Sequence, residues 1–161
     1  MMTKTPVLMT AATRWEAAPL AKGLGLTSSR TDRFEGSVGG RRVVLARTGM
    51  GAARTTEALN RDFVIGDFGL VISAGLCGAM QQDVKSGDVV ADVAEVEMGF
   101  VVPMREAAQR LATPFHFGKI LHTNIVLQPD AKRKLGKEHL ELACDMETAA
   151  VRRWALGARP V

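Results

Sequence analysis

The chain has 161 residues, of which 47% are hydrophobic and 24% charged, a balance that fits one globular domain and excludes disordered, collagen-like and low-complexity classes. At that length about two-thirds of the unfolded surface can be buried, enough for a core without disulfide or metal staples. The net charge of +4 comes from scattered residues, and the only dense basic cluster, Lys132-Arg133-Lys134 with Lys137, reads as one solvated helix face rather than a phosphate track.

Pro6 to Ala12 has the composition of a buried strand, and the polar break Thr13-Arg14 opens a helical stretch, Trp15 to Leu24, ended by glycines at 23 and 25. Phe34 to Val38 and Arg41 to Arg47 flank Gly39-Gly40, a dipeptide suited to the positive φ angles of a tight hairpin. Thr48-Gly-Met-Gly leads into a helix over Ala52 to Phe63. Gly69 to Ala74 reads as a β-branched core strand, followed by the turn Gly75-Leu76-Cys77-Gly78 and a strand after Gly87-Asp88 through Val96. Met104 to Leu111 is expected as a short helix, with a boundary at Thr113-Pro114 because the residue before proline avoids the helical region. Lys119 to Leu127 has strand composition, Pro129 to Leu135 is helical, Leu140 to Cys144 is a short strand, and Asp145 to Leu156 is an amphipathic helix. Strands interleaved with helices predict an α/β fold, a three-layer sandwich with a mixed central sheet, in a single domain over residues 1–161.

Several chemistries find no support. Cys77 and Cys144 match no zinc spacing and read as reduced, buried cysteines; His116, His122 and His139 form no HExxH pattern, so no metal site is expected. With 5% aromatics and no Tyr, stacking platforms for single strands are scarce, which argues against a nucleic-acid partner. No stretch has the length of an apolar membrane span, and the start is too short an apolar run for a signal peptide, so a cytoplasmic location is expected.

Two glycine-rich turns follow predicted strands. Gly49-Met50-Gly51 opens a helix as a dinucleotide fingerprint would, but Arg54 stands where the third glycine belongs. The glycines either make the strand-to-helix turn or expose a helix N-terminus as an anion site, with Gly49, Gly51 and Arg14 as candidate ligands. Gly75 to Gly78 lets a ligand touch backbone amides. Cys144-Asp145-Met146-Glu147 sets two carboxylates at a strand-to-helix junction; the plain reading is that Asp145 caps the helix and Glu147 favours its positive end. Glu16, just after the first strand, is by itself an ordinary first-turn glutamate.

Taken together, Thr48-Gly-Met-Gly, Ser73-Ala-Gly-Leu-Cys-Gly-Ala, Gly87-Asp-Val-Val and Asp145-Met-Glu-Thr-Ala-Ala-Val resemble, in order and context, the nucleoside phosphorylase and nucleosidase superfamily. The resemblance spans nearly the whole chain. It is greatest to the hydrolytic branch of methylthioadenosine/S-adenosylhomocysteine nucleosidases, futalosine hydrolases and hopanoid-associated nucleosidase-type proteins. It implies hydrolysis of an adenosine-type nucleoside by a homodimer with no cofactor. Glu147 would accept hydrogen bonds from the ribose 2′ and 3′ hydroxyls, with Met146 packed on the sugar. Gly75, Leu76, Cys77 and Gly78 would line base and ribose, Val126 would lie near the base, and Glu16 would orient and deprotonate the attacking water. The phosphorolytic branch holds phosphate at positions matching Ser73 and Leu76. Leucine cannot bind an anion, so water is favoured, while Arg14, Arg47 and Arg54 keep phosphate open as co-substrate.

The family pattern continues past the last helix into a strand ending in a Ser-Asp pair, whose aspartate protonates the purine. This chain stops at Ala158-Arg159-Pro160-Val161, where that strand would begin, and residues 96–117 are shorter than the family pattern. A C-terminally short domain is therefore expected: part of a longer enzyme, or else a non-catalytic nucleoside binder, or a chain whose acid comes from a partner.

Overall fold

The computed structural model describes residues 5–93, 99–111 and 113–157. They form two compact units, residues up to Leu76 with those from Met146 onward, and Cys77–Asp145.

In the first unit, strand β1 (Val7–Ala11) lies between β4 (Arg41–Arg47) and β5 (Leu70–Ser73), parallel to both, with β2 (Thr27–Arg30) and β3 (Arg33–Val38) added antiparallel beyond β4. The order β2-β3-β4-β1-β5 is a mixed sheet. Its layers follow from the two-residue period of a strand. Val7, Ala11, Val43 and Leu45 face helix α1 (Arg14–Gly23) through Ala17 and Ala21. Their neighbours Leu8, Val44 and Ala46 face Leu59 of α2 (Ala52–Asp62) and Val151 of α5 (Thr148–Ala155). Two helical layers thus enclose the sheet, and the apolar runs of β1 and β4 are buried on both faces, as expected for central strands. Gly39 and Gly40 take φ of +58° and +73°, the positive angles that a two-residue hairpin turn requires.

The second unit holds a three-stranded sheet, β6 (Gly78–Ala79), β10 (Ala143–Asp145) and β9 (Ile120–His122), and a parallel pair, β7 (Val89–Ala91) with β8 (Phe115–Phe117). Helices α3 (Val101–Leu111) and α4 (Pro129–Glu138) complete it. Asp88 closes β7 onto β8: its carboxylate accepts from the Lys85 amide and pairs with the His116 ring at 2.8 Å, and these partners hold it below its ordinary value.

Gly136 lies inside α4, where a glycine ordinarily costs about 1 kcal/mol against alanine. Here a Cβ would overlap the carbonyl oxygen of Met80, and Gln81 donates from its side-chain amide to the Gly136 carbonyl at 3.1 Å. Gly136→Ala is expected to lower stability by about 2 kcal/mol despite better helix propensity, because overpacking outweighs it. Urea unfolding of the variant checks this, and a rise in midpoint would contradict it.

Several sequence expectations need correction. The strand expected over Lys119 to Leu127 ends at His122: the Thr123 amide still donates to the Asp145 carbonyl at 2.8 Å, but its hydroxyl turns to the Ile125 carbonyl and the chain leaves the ladder there. The strand expected over Leu140 to Cys144 begins only at Ala143 and takes in Asp145; the N-cap position of α5 is held by Glu147, not by Asp145. Cys77 is exposed, whereas Cys144 is buried. The strand expected through Val96 is seen over Val89–Ala91, and its expected end at 94–96 lies outside the described residues, as does 158–161.

Candidate active site

Because β1, β4 and β5 are parallel, their carboxyl ends share one edge of the sheet, where open α/β folds bind ligands. Three loops leave that edge: Ala12-Thr13 into α1, Thr48 to Gly51 into α2, and Ala74 to Leu76 after β5. Backbone bonds lash them together: Thr48 N–H donates to the Ala11 carbonyl at 2.9 Å, Gly49 N–H to Ala12 at 3.0 Å, and Ala74 N–H to Thr10 at 2.8 Å. Under them the buried hydroxyls of Thr48 and Thr55 lie 3.2 Å apart.

Glu16 sits in the first turn of α1, half-buried. Its Oε2 accepts from the Thr13 amide at 2.7 Å and the Thr13 hydroxyl at 2.8 Å, and its Oε1 accepts from the Leu76 amide at 2.8 Å. The first pair belongs to a capping box, whose Thr-x-x-Glu spacing was readable in the sequence and passed over there. The third bond joins residues 60 apart in sequence. It depends on Gly75, since a Cβ there would come within 2.7 Å of Glu16 Oε1. Gly75→Ala is expected to push the carboxylate off the Leu76 amide and to reduce any Glu16-dependent turnover by at least about 10-fold, the scale of one lost charged hydrogen bond. The unfolding midpoint should move little, because Gly75 has no positive φ to protect.

Glu147 reaches back from the start of α5 to the N-cap amide of α2: its Oε1 accepts from Gly51 N–H at 2.5 Å. Gly49 and Gly51 adopt φ of +88° and +92°, the region where only glycine is unstrained. This turns the Gly51 amide toward the carboxylate, and the Met146 methyl lies 3.8 Å from the point a Gly51 Cβ would occupy. Met146, Glu147 and Gly51 therefore form one cluster, and Glu16, Gly75 and Leu76 another, both in the first unit.

The remaining candidates are distributed as follows. The Gly49 and Gly51 amides, considered as anion donors, already serve Ala12 and Glu147. Arg14 is exposed in the first turn of α1, and the stem of Arg54 lies across Gly49. Ser73 ends β5 and Arg47 ends β4. Cys77, Gly78 and Val126 belong to the second unit, where Val126 is 67% exposed. Cys77 keeps solvent contact, yet partial burial raises its thiol, helped by Asp145 and Cys144, which argues against a reactive thiolate. Among the described residues no group of three or more His, Cys, Asp or Glu could hold a metal ion, and no helix is long and apolar enough to cross a membrane.

Helices on both faces of a mixed sheet, with loops gathered at the carboxyl ends of its parallel strands, make the first unit an α/β fold. The chain belongs to the phosphorylase superfamily, whose family model matches residues 6–117. Its fold is shared with solved structures of low sequence identity. One is a mutant methylthioadenosine/S-adenosylhomocysteine nucleosidase of Helicobacter pylori with 5′-methylthioadenosine in its active site: 16% identity over 96% of this chain and 81% of that one, TM-score 0.76. A futalosine hydrolase mutant of the same organism gives 16% identity, 96% and 85% coverage and a TM-score of 0.73. The Campylobacter jejuni methylthioadenosine/S-adenosylhomocysteine nucleosidase gives 17%, 96% and 81%, and 0.74. No curated protein sequence matches the chain.

Proposed function

We propose that this protein hydrolyses the N-glycosidic bond of an adenosine-type nucleoside, with Glu16 as the base that activates water and Glu147 as the ribose clamp. The observation that carries this reading is the holding of Glu16 by three donors at the carboxyl end of β1. A carboxylate has about four acceptor sites, so a carboxylate with three filled is fixed in orientation and keeps one for a water. Cleavage passes through an oxocarbenium-like sugar: the C–N bond to the purine breaks as the water oxygen bonds to the anomeric carbon, Glu16 takes the water proton, and the departing purine nitrogen gains a proton from solvent. Two carboxylates held at the same sheet edge supply the negative field that such a centre needs. Glu147, acceptor-only and oriented by Gly51 N–H, suits a pair of ribose hydroxyls.

Water is favoured over phosphate because the amides that would cradle an anion are engaged: Leu76 by Glu16, Gly51 by Glu147 and Gly49 by Ala12. Two of those acceptors are carboxylates, which would repel a phosphate dianion. Phosphorolysis keeps one observation in its favour, the Arg54 side chain across Gly49 at the start of α2.

Adenine release from adenosine, 5′-methylthioadenosine and S-adenosylhomocysteine, followed with and without phosphate, tests the reading. Release in phosphate-free buffer supports hydrolysis, strict phosphate dependence assigns the phosphorylase reaction, and saturable binding without turnover makes the protein a nucleoside binder. The same chemistry gives a small-molecule substrate and no organic cofactor. A homodimer, expected by family resemblance, would sediment at twice the mass of the chain.

A further inference from the structure

We propose that Thr13 is a positioning residue for Glu16: it holds Oε2 so that Oε1, tied on one side to the Leu76 amide, presents its remaining lone pair to the nucleophile. This rests on the assignment of Glu16 as the base.

The donors on the carboxylate are unequal in kind. Leu76 gives a single backbone bond to Oε1, whereas Thr13 gives two to Oε2, one from its amide and one from its hydroxyl, at 2.7 and 2.8 Å. An ordinary capping box needs only the amide bond to the glutamate. The hydroxyl proton, by contrast, is here spent on the carboxylate itself. Thr13 is extended, with φ of −119° and ψ of 166°, and its amide and side chain converge on the same oxygen. With Oε2 doubly held, rotation of the carboxylate would break three bonds at once, so the proton acceptor is confined to Oε1. Geometry of this kind acts on the rate through orientation, where small displacements are costly.

The test removes the hydroxyl and leaves the amide. Thr13→Val should reduce kcat about 10-fold with little change in KM, the effect of one charge-assisted hydrogen bond. Thr13→Ser should restore kcat. A readout independent of turnover is hydrogen exchange of the Leu76 amide, which should quicken about 5-fold in Thr13→Val as the carboxylate gains freedom. A role confined to capping α1 would not reach an amide on another loop. Thr13→Ala carries the same test should the valine variant fold poorly.

Unchanged Leu76 exchange overturns the proposal, as does unchanged kcat in Thr13→Val while Glu16→Gln lowers kcat by about 10²-fold or more. Full turnover in Glu16→Gln instead overturns the base assignment, and the role of Thr13 falls with it.

Discussion

Replacing Glu16 by glutamine should lower kcat by about 10²–10⁴-fold, the usual contribution of a positioned general base, while leaving the protein folded. The side chain keeps its length, and its carbonyl oxygen can still accept from the Thr13 amide and hydroxyl. Its amide nitrogen, however, then faces the Leu76 N–H, donor against donor, where the wild-type Oε1 accepts at 2.8 Å. One unmet backbone donor at a partly exposed turn costs about 1 kcal/mol, far below the catalytic effect. Glu16→Ala should add the loss of the capping box, about 1 kcal/mol more, without a much larger loss of rate. Stability and rate are thereby separable: similar midpoints with a collapse in kcat support the base assignment. Wild-type kcat in Glu16→Gln would show that the carboxylate only ties α1 to the turn after β5. The measurement is adenine release in phosphate-free buffer beside urea unfolding of each variant.

The second large effect is expected at Glu147. Glu147→Gln should reduce kcat/KM by about 10²–10⁴-fold, because hydrogen bonds to a charged acceptor are worth about 1.5–3 kcal/mol each and two ribose hydroxyls are involved. The substitution keeps an oxygen for Gly51 N–H, so the tie between α5 and α2 survives. A substrate lacking the 2′ hydroxyl separates clamp from scaffold. Wild-type enzyme should lose activity on 2′-deoxyadenosine, and Glu147→Gln should lose little more on removal of that hydroxyl, the non-additivity expected of groups in contact. Equal and additive losses would mean that Glu147 does not touch the ribose. Gly51→Ala forces an alanine to a φ near +92° and carries its Cβ toward Met146, so it should mimic Glu147→Gln only with an added loss of stability.

The different fates of the sequence expectations have one physical origin. Signals that act within a few residues were legible: the apolar run of β1, the Gly39-Gly40 hairpin, the proline that starts α4, and the glycine turns at the ends of β4 and β5. Each is a local restriction on φ or a local period of burial, and a chain carries such restrictions wherever it folds. β2 escaped notice because Thr27-Ser-Ser-Arg is exposed along its whole length; as an outer strand it buries no face, so no alternation is imposed on it. Asp145 looked like a helix cap because Asp before a helix usually is one, but pairing with His122 of β9 holds it in a strand.

The carboxylates mark the same boundary more sharply. The sequence by itself determined that Glu16 and Glu147 stand near strand-to-helix junctions, and the family motifs around them. Tertiary structure alone decided that Glu16 is bound to Leu76, 60 residues on, and Glu147 to Gly51, 96 residues back. Their partners are backbone amides, which every residue except proline carries, so no residue type announces them. Only the parallel pairing of β1 with β4 and β5, fixed by burial on both faces of the sheet, selects which amides meet which acid.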